Sequence, residues 1–383
     1  MAYEDKIAEW KSRVSDPRPT LDDDGRGVPD EALATGFIHW LTLINARGDD
    51  GKQYFIEVVP MTGIAEAGVD IWMLEVGSEK GSIQQLPNSI YKVANYPFIQ
   101  AERNTFPTGT LTMTRSEHEV VVELPDFRVI CKDDHTWHYH VEDKKRNVTL
   151  EMVHYGVGLP TWYGKEKPIN LTAHAVAYGY NWPGRIEGTL TIGGKKVKLS
   201  GAALRERYVA VDQDAAEIGG WEDWMWFYFE NGAAFGSFFE YKFSKNKGLG
   251  INLAGGKEYY PAGDVSIEHH EWAFHPRLGA FVPTHYKIKL EVEAGVLELA
   301  GNIVESKLWG MRGGGGVPDA PLYTHNFDRL DGTFRYHDGR TITLSNGVGG
   351  GCVRLWKPYP NIFMPQFASE QATGYDSRVL LFE

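Results

Sequence analysis

Cysteine is scarce in this chain: 383 residues contain only Cys131 and Cys352. Two cysteines cannot build a disulfide scaffold, and neither stands at metal-ligand spacing from a second ligand type, so two isolated buried thiols are expected. Long apolar runs are missing too. None approaches the ~20 residues that a membrane-spanning helix requires, and the opening MAYEDKIAEWKSRVSD has no apolar stretch of signal-peptide length. A cytoplasmic location without membrane insertion is therefore expected. Basic charge is also in deficit, with 39 Lys and Arg against 51 Asp and Glu, a net charge of −12. That balance argues against nucleic acid or an anionic membrane as partner, because both demand clustered cations. No strand–glycine-turn–helix unit, G-x-S-x-G, H-E-x-x-H or paired C-x-x-C occurs. Serine-elbow hydrolysis, zinc proteolysis and P-loop phosphoryl transfer are unsupported, and neither cofactor nor metal is expected.

What the chain does have is aromatic and turn-forming residues: 13% Phe, Trp and Tyr, with 43 Gly and 19 Pro. Aromatic and β-branched side chains fit pleated surfaces, while Gly and Pro make hairpins, so the composition predicts an all-β protein. The length predicts two domains. These are read as a lead-in over 1–34 with a short amphipathic helix, a first β-domain over 35–201 and a second over 202–383. Period-two strands joined by GDDG, by GG at 193–194 and by Asn231-Gly232 predict antiparallel hairpins closed into barrels or sandwiches. The segment LPTWYGKEKPINLT (159–172) reads as a loop, as does PRPTLDDDGRGVPD (17–30).

The stretch from Gly201 to Gly232 joins charge to large aromatic surface, which is what a cleft for an apolar ligand and acid/base chemistry needs. In LRERYVAVD, Glu206 and Tyr208 share one strand face and Arg205 and Arg207 the other. In EDWMWFYFE, Trp224, Trp226, Tyr228 and Glu230 share a face, with Asp223 on the opposite one. Burial against indoles would raise a carboxyl pKa towards that of a general acid. The bland alternatives are an Arg–Glu surface pair and a packed aromatic core. Further along, IEHHEWAFHP aligns Glu268, His270 and Trp272 on one face, a source of a general base or of nothing more than a solvated strand.

In the first half, His154 falls in phase with Val148, Leu150 and Met152. His174 falls in phase with Tyr178, Tyr180 and Trp182. Such histidines are core groups or part of a polar lining in an aromatic pocket to which Trp162 would also contribute. His138 and His140 have H-x-H spacing, but their shared face with Glu142 reads as solvated rather than as a metal site.

A first β-domain ending in PTWYG and YGYNWPGRIEGTLTIGGKKVKLSG, then RERYVAVD and WEDWMWFYFENG, resembles the tandem lipocalin-like family of carotenoid hydratase (hydroxyneurosporene synthase) and AttH. Kievitone hydratase and natural-product Diels–Alderases are relatives in that resemblance. The family's Asp-His-x-Trp motif corresponds to Arg205-Glu206-Arg207-Tyr208, where the acid is kept and the histidine and tryptophan are not. The family's aromatic-x-acid pair resembles Tyr228-x-Glu230. The resemblance implies two tandem lipocalin-like barrels and a cofactor-independent hydratase, lyase, isomerase or cyclase for an isoprenoid, polyketide or aromatic natural product. It places the site near the start of the second domain. Glu206 or Glu230 would be the general acid, Trp224 and Trp226 would stabilise a carbocation, and Tyr208, Tyr228 and His270 would relay protons. A non-catalytic carrier of a hydrophobic metabolite is the alternative, and a homodimer is a possible assembly.

Overall fold

The structure is a computed structural model. It describes residues 2–28, 36–63, 66–76, 83–85, 104–107, 110–144, 147–170, 176–211, 222–241, 246–275, 280–310 and 322–355. Helix α1 (Tyr3–Arg13) and the single turn α2 (Leu21–Asp24) precede two antiparallel sheets. The first sheet holds β1 (Phe37–Gly48), β2 (Gln53–Gly63), β3 (Glu66–Val76), β4 (Ile83–Gln85), β5 (Asn104–Pro107), β6 (Thr112–Arg115), β7 (Glu119–Leu124), β8 (Phe127–Lys132), β9 (Thr136–Asp143), β10 (Val148–Gly156), β11 (Thr161–Asn170), β12 (Val176–Ile192) and β13 (Lys195–Val211). The second holds β14 (Glu222–Tyr228), β15 (Ala234–Tyr241), β16 (Asn246–Leu253), β17 (Glu258–Tyr260), β18 (Asp264–His275), β19 (Ala280–Val292), β20 (Gly295–Gly310), β21 (Leu322–Tyr336) and β22 (Thr341–Leu355).

Strand order explains the curvature. The first sheet runs β4-β3-β2-β1-β13-β12-β10-β9-β8-β7-β6, so its first and thirteenth strands are neighbours, and the second closes likewise through β14 and β22. Each sheet curls around its own core. Trp40, Ile56, Val122, Tyr139, Leu150 and Trp182 meet inside the first, Phe227, Phe238, Ile251, Leu290 and Phe334 inside the second. The protein is all-β, with two lipocalin-like curled sheets in tandem and a short N-terminal helix.

A third apolar cluster joins the outer faces of the two sheets, where Leu41, Leu43, Phe55 and Leu204 meet Trp224, Trp226, Phe235 and Phe327. Strand β13 records this layering along its length. Lys195–Ser200 alternates between exposed and buried, whereas Ala202–Ala210 is buried on both faces. A strand covered on both sides loses its amphipathic alternation.

Three segments differ from the sequence expectation. PTWYG starts a strand, β11, because its Thr and aromatics pair with β12 and its Thr161 hydroxyl donates to the Ser237 carbonyl (3.1 Å) of the other sheet. Residues 176–182 and 185–192, expected on separate strands, run continuously through Pro183 in β12. The lead-in LDDDG is not loop but the turn α2, which carries Asp24 into the first barrel at 3% exposure. Cys131 is buried and free, as expected.

Candidate functional site

Period-two geometry divides β13 into two chemistries. Arg205 and Arg207 point into the first barrel and are fully buried. Asp24 Oδ1 accepts from Arg205 Nη2 and from the Tyr180 hydroxyl (2.7 Å), and its Oδ2 accepts from Trp137 Nε1 (3.1 Å). The Arg205 guanidinium also lies over Trp137, 4.9 Å from the ring centre, and Arg207 lies over Trp40 at 4.2 Å. Burial pulls the Arg207 pKa down to about 10, against the opposing pull of Asp24. Arg207 Nη1 donates to the carbonyls of His39 (3.2 Å) and Tyr208 (3.0 Å). The buried guanidinium thereby fixes the backbone of two residues whose side chains leave on the opposite face.

On that face Glu206 is 5% exposed and sits between the sheets. Its Oε2 lies 2.8 Å from His39 Nε2, and its Oε1 accepts from the Tyr163 hydroxyl at 2.5 Å. His39 stacks on Tyr208, with ring centres 5.1 Å apart. The Asn181 amide satisfies both of its neighbours with Nδ2 donating to Glu206 Oε1 (3.1 Å) and Oδ1 accepting from Trp224 Nε1 (2.7 Å). Glu206 is therefore held by groups from β1, β11 and β12, with an indole of the second sheet one hydrogen bond further. A carboxylate, an imidazole and a phenol in mutual contact can accept a proton, store it and return it, which is the equipment of general acid–base chemistry.

The expected catalytic set is split in space. Glu206 and Tyr208 lie together at this end of the sheet junction, where Trp224 reaches Glu206 through Asn181, and Trp226 packs in the same apolar cluster. Tyr228 and Glu230 line a cleft of about 1030 Å³ at the other end, where Glu230 is exposed. His270 is partly exposed beside Glu268 (3.4 Å). Its neighbour His269 is the inward residue, 2.8 Å from Asp223 inside the second barrel. There, too, the Tyr286 hydroxyl donates to Asp328 Oδ2 (2.8 Å), and burial raises the Asp328 pKa to about 7 although that hydrogen bond pulls it down.

The expected ligand-lining residues of the first half face the first barrel's interior. His154 packs 5.3 Å from the Trp137 ring centre, and burial, with Arg205 adding to it, pushes its pKa down to about 3. Trp182 crosses Trp137 edge to face at 5.3 Å, Trp162 donates from Nε1 to the Pro17 carbonyl (2.9 Å), and Tyr178 lies beneath Arg26 at 4.6 Å. His174 lies outside the described residues. His138 is half-buried and contacts Thr136 (3.3 Å), while His140 is exposed and 3.5 Å from Glu151. The sequence reading missed His39, Tyr163 and Asn181. His39 carried a faint signal, since it is a polar residue sharing strand parity with Leu41 and Leu43.

Neither a family model nor a curated protein matches the chain by sequence. Solved structures do match by shape. An AttH-type protein from Nitrosomonas europaea aligns with a TM-score of 0.58 and 13% identity over 88% of this chain and 96% of that one. Kievitone hydratase from Nectria haematococca aligns at 0.54 and 11% identity, over 89% and 93% of the two chains. CghA aligns at 0.54 and 11%, over 90% and 96%. The chain shares their fold. The agreement covers most of the chain.

Proposed function

We propose that the protein is a cofactor-independent enzyme of the hydratase–lyase or isomerase–cyclase type, acting on an apolar small molecule at the Glu206 end of the sheet junction. The observation that carries this reading is Glu206 itself, a carboxylate buried between two sheets and in contact with His39 and Tyr163. Support comes from the fold shared with kievitone hydratase and with CghA, which has been crystallised with Sch210972.

For a hydration, one carbon of a substrate double bond would take a proton from the Glu206–His39 pair. The other carbon, left cationic, would face the Trp224 ring, whose π electrons stabilise positive charge. Water would then bond to that carbon and lose a proton back to the pair, leaving the enzyme unchanged and H and OH added to the substrate. Elimination is the reverse. In an isomerisation, a proton is lost from carbon in place of water addition. Tyr208, stacked on His39, fixes the imidazole plane, and Asn181 holds the carboxylate towards the indole.

The test begins with native mass spectrometry of the protein purified from its own host, to find a co-purifying apolar metabolite, followed by its incubation with fresh enzyme. Conversion by wild type, with at least a ~100-fold loss in Glu206→Gln and in His39→Gln while the ligand is still bound, is expected. Undiminished turnover in both variants overturns the assignment. Binding without conversion by wild type identifies a carrier.

A further inference from the structure

The other end of the sheet junction is built from a different chemistry. His39 and Asn45 lie on the same face of β1, six residues or roughly 20 Å apart at ~3.4 Å per residue. Between them Leu41 and Leu43 are packed against the second sheet. Beyond that apolar floor opens the cleft of about 1030 Å³ already noted, lined by Arg47, Arg185 and Arg329 from three strands. All three arginines are exposed. Arg329 donates to Gln53 Oε1 (2.6 Å), and Arg47 and Arg185 have neither an ion-pair nor a hydrogen-bond partner among the described residues.

In a chain with 51 acidic and 39 basic side chains, unpaired arginines gathered around one cavity are not what the overall balance predicts. A second observation points the same way. Asn45, 4% exposed, lines the cleft, accepts from Gln53 Nε2 (2.6 Å) and has no partner for its own Nδ2 donor among the described residues. Buried donors of this kind are uncommon unless a ligand or water completes them. The cleft's acids are Glu230 and Asp331, the latter accepting from the Asn346 amide (3.1 Å). Three guanidinia against two carboxylates leave one positive charge, which balances a monoanion and not a phosphate dianion. Val157, Ala202 and Val348 supply apolar wall. The volume matches an organic molecule rather than a bare ion.

We propose that this cleft binds an organic monocarboxylate with an apolar body, its carboxylate held by Arg47, Arg185 and Arg329. Guanidinium is suited to this role because it stays charged and presents paired donors in the plane of a carboxylate. The site is distinct from the Glu206 cluster and stands whether or not that cluster is catalytic.

Isothermal titration calorimetry on the full chain tests it, with 4-phenylbutyrate and hexanoate as probes, 4-phenylbutanol and hexanol as their neutral twins, and inorganic phosphate as a simple anion. At least one carboxylate is expected to bind one per chain, about 10-fold or more tighter than its alcohol and than phosphate, with affinity falling as salt rises. Each of Arg47→Gln, Arg185→Gln and Arg329→Gln is expected to weaken binding about 10-fold, in line with loss of a hydrogen bond to a charged group. Circular dichroism verifies that these surface variants fold. Glu206→Gln is expected to bind the carboxylate as wild type does. The proposal is overturned if no carboxylate binds, if alcohol or phosphate binds equally well, if the arginine variants match wild type, or if Glu206→Gln abolishes binding.

Discussion

The two barrels bury polar groups in opposite ways. Inside the first, Asp24 enters from the N-terminal segment and meets Arg205 and Arg207, with His154 close by. Inside the second, two buried acids, Asp223 and Asp328, contact His269 and Tyr286. In the first, the Asp24–Arg205 pair is tied at nearly every atom: Arg205 alone donates to Asp24, Tyr139 and Cys131 and stacks on an indole. In the second, Asp328 Oδ1 has no partner among the described residues. The difference teaches that buried charge has two uses here. In the first barrel it locks a segment in place and, through Arg207, holds His39 and Tyr208. In the second it leaves a carboxyl group poised near neutral pH.

The largest expected effect removes the anion from the cationic interior. Asp24→Ala leaves Arg205 and Arg207 buried without their counter-charge, a change worth about 3–5 kcal/mol of stability when a buried pair is broken from one side. Urea unfolding measures it. A loss below about 1 kcal/mol would show that the plug is not the first barrel's keystone and would erase the contrast. Because Arg207 holds the His39 carbonyl, the same variant is expected to lower turnover as well as stability.

The interiors should also respond to pH with opposite signs. His154 has its folded pKa lowered from 6.5 to about 3. The unfolded chain therefore takes up this proton first, and stability is full above pH 6.5 and lost as pH falls from there towards 3. Asp328 has its pKa raised from 3.8 to about 7. Here the folded chain holds the proton longer, so stability is full below pH 3.8 and lost as pH rises through 7. Each limb is on the order of 4 kcal/mol when the shift is converted at 1.36 kcal/mol per unit. Between pH 3.8 and 6.5 the two limbs overlap with opposite slopes, so His154→Leu is expected to make stability fall more steeply with rising pH there than in wild type. Asp328→Asn is expected to do the reverse and to be the more stable protein at pH 8. Unfolding free energies across pH 4–9 read both, and parallel curves for either variant and wild type would sink that half of the comparison.

Which parts of this could be read from residues alone follows from the range of each interaction. Alternation along β12 placed Tyr178, Tyr180 and Trp182 on one face, and it put Glu206 opposite Arg205. Both relations hold, because side-chain direction in a strand is set locally. Alternation cannot say which face meets the other sheet when both are buried; Tyr178 and Trp182, expected to line a ligand pocket, face the first barrel's interior. The partners of Glu206 were illegible for a different reason: His39 and Tyr163 stand 167 and 43 residues away. Asp24 lay in a run of three acids that any local rule reads as solvated, and its arginine is 181 residues distant. In IEHHEW the pattern singles out His270, in line with Glu268 and Trp272. The structure instead directs His269 to Asp223, with Glu271 at a positive φ of 50° where the β18 pairing skips a residue.

The smallest effect refines the acidic side of the comparison. Tyr286→Phe deletes the only hydrogen bond that the Asp328 carboxyl receives among the described residues, and that bond lowers the Asp328 pKa. A neutral carboxyl at pH 5 loses one ordinary hydrogen bond, so stability there should fall by about 1 kcal/mol. The charged form loses more, because a hydrogen bond to an ion is worth about twice a neutral one. The folded pKa must then rise above 7, and the alkaline limb should extend to higher pH instead of levelling. If Tyr286→Phe instead lowers stability equally at pH 5 and pH 9, the hydroxyl serves packing alone. Asp328 would then be kept protonated by burial without any help or hindrance from its neighbour.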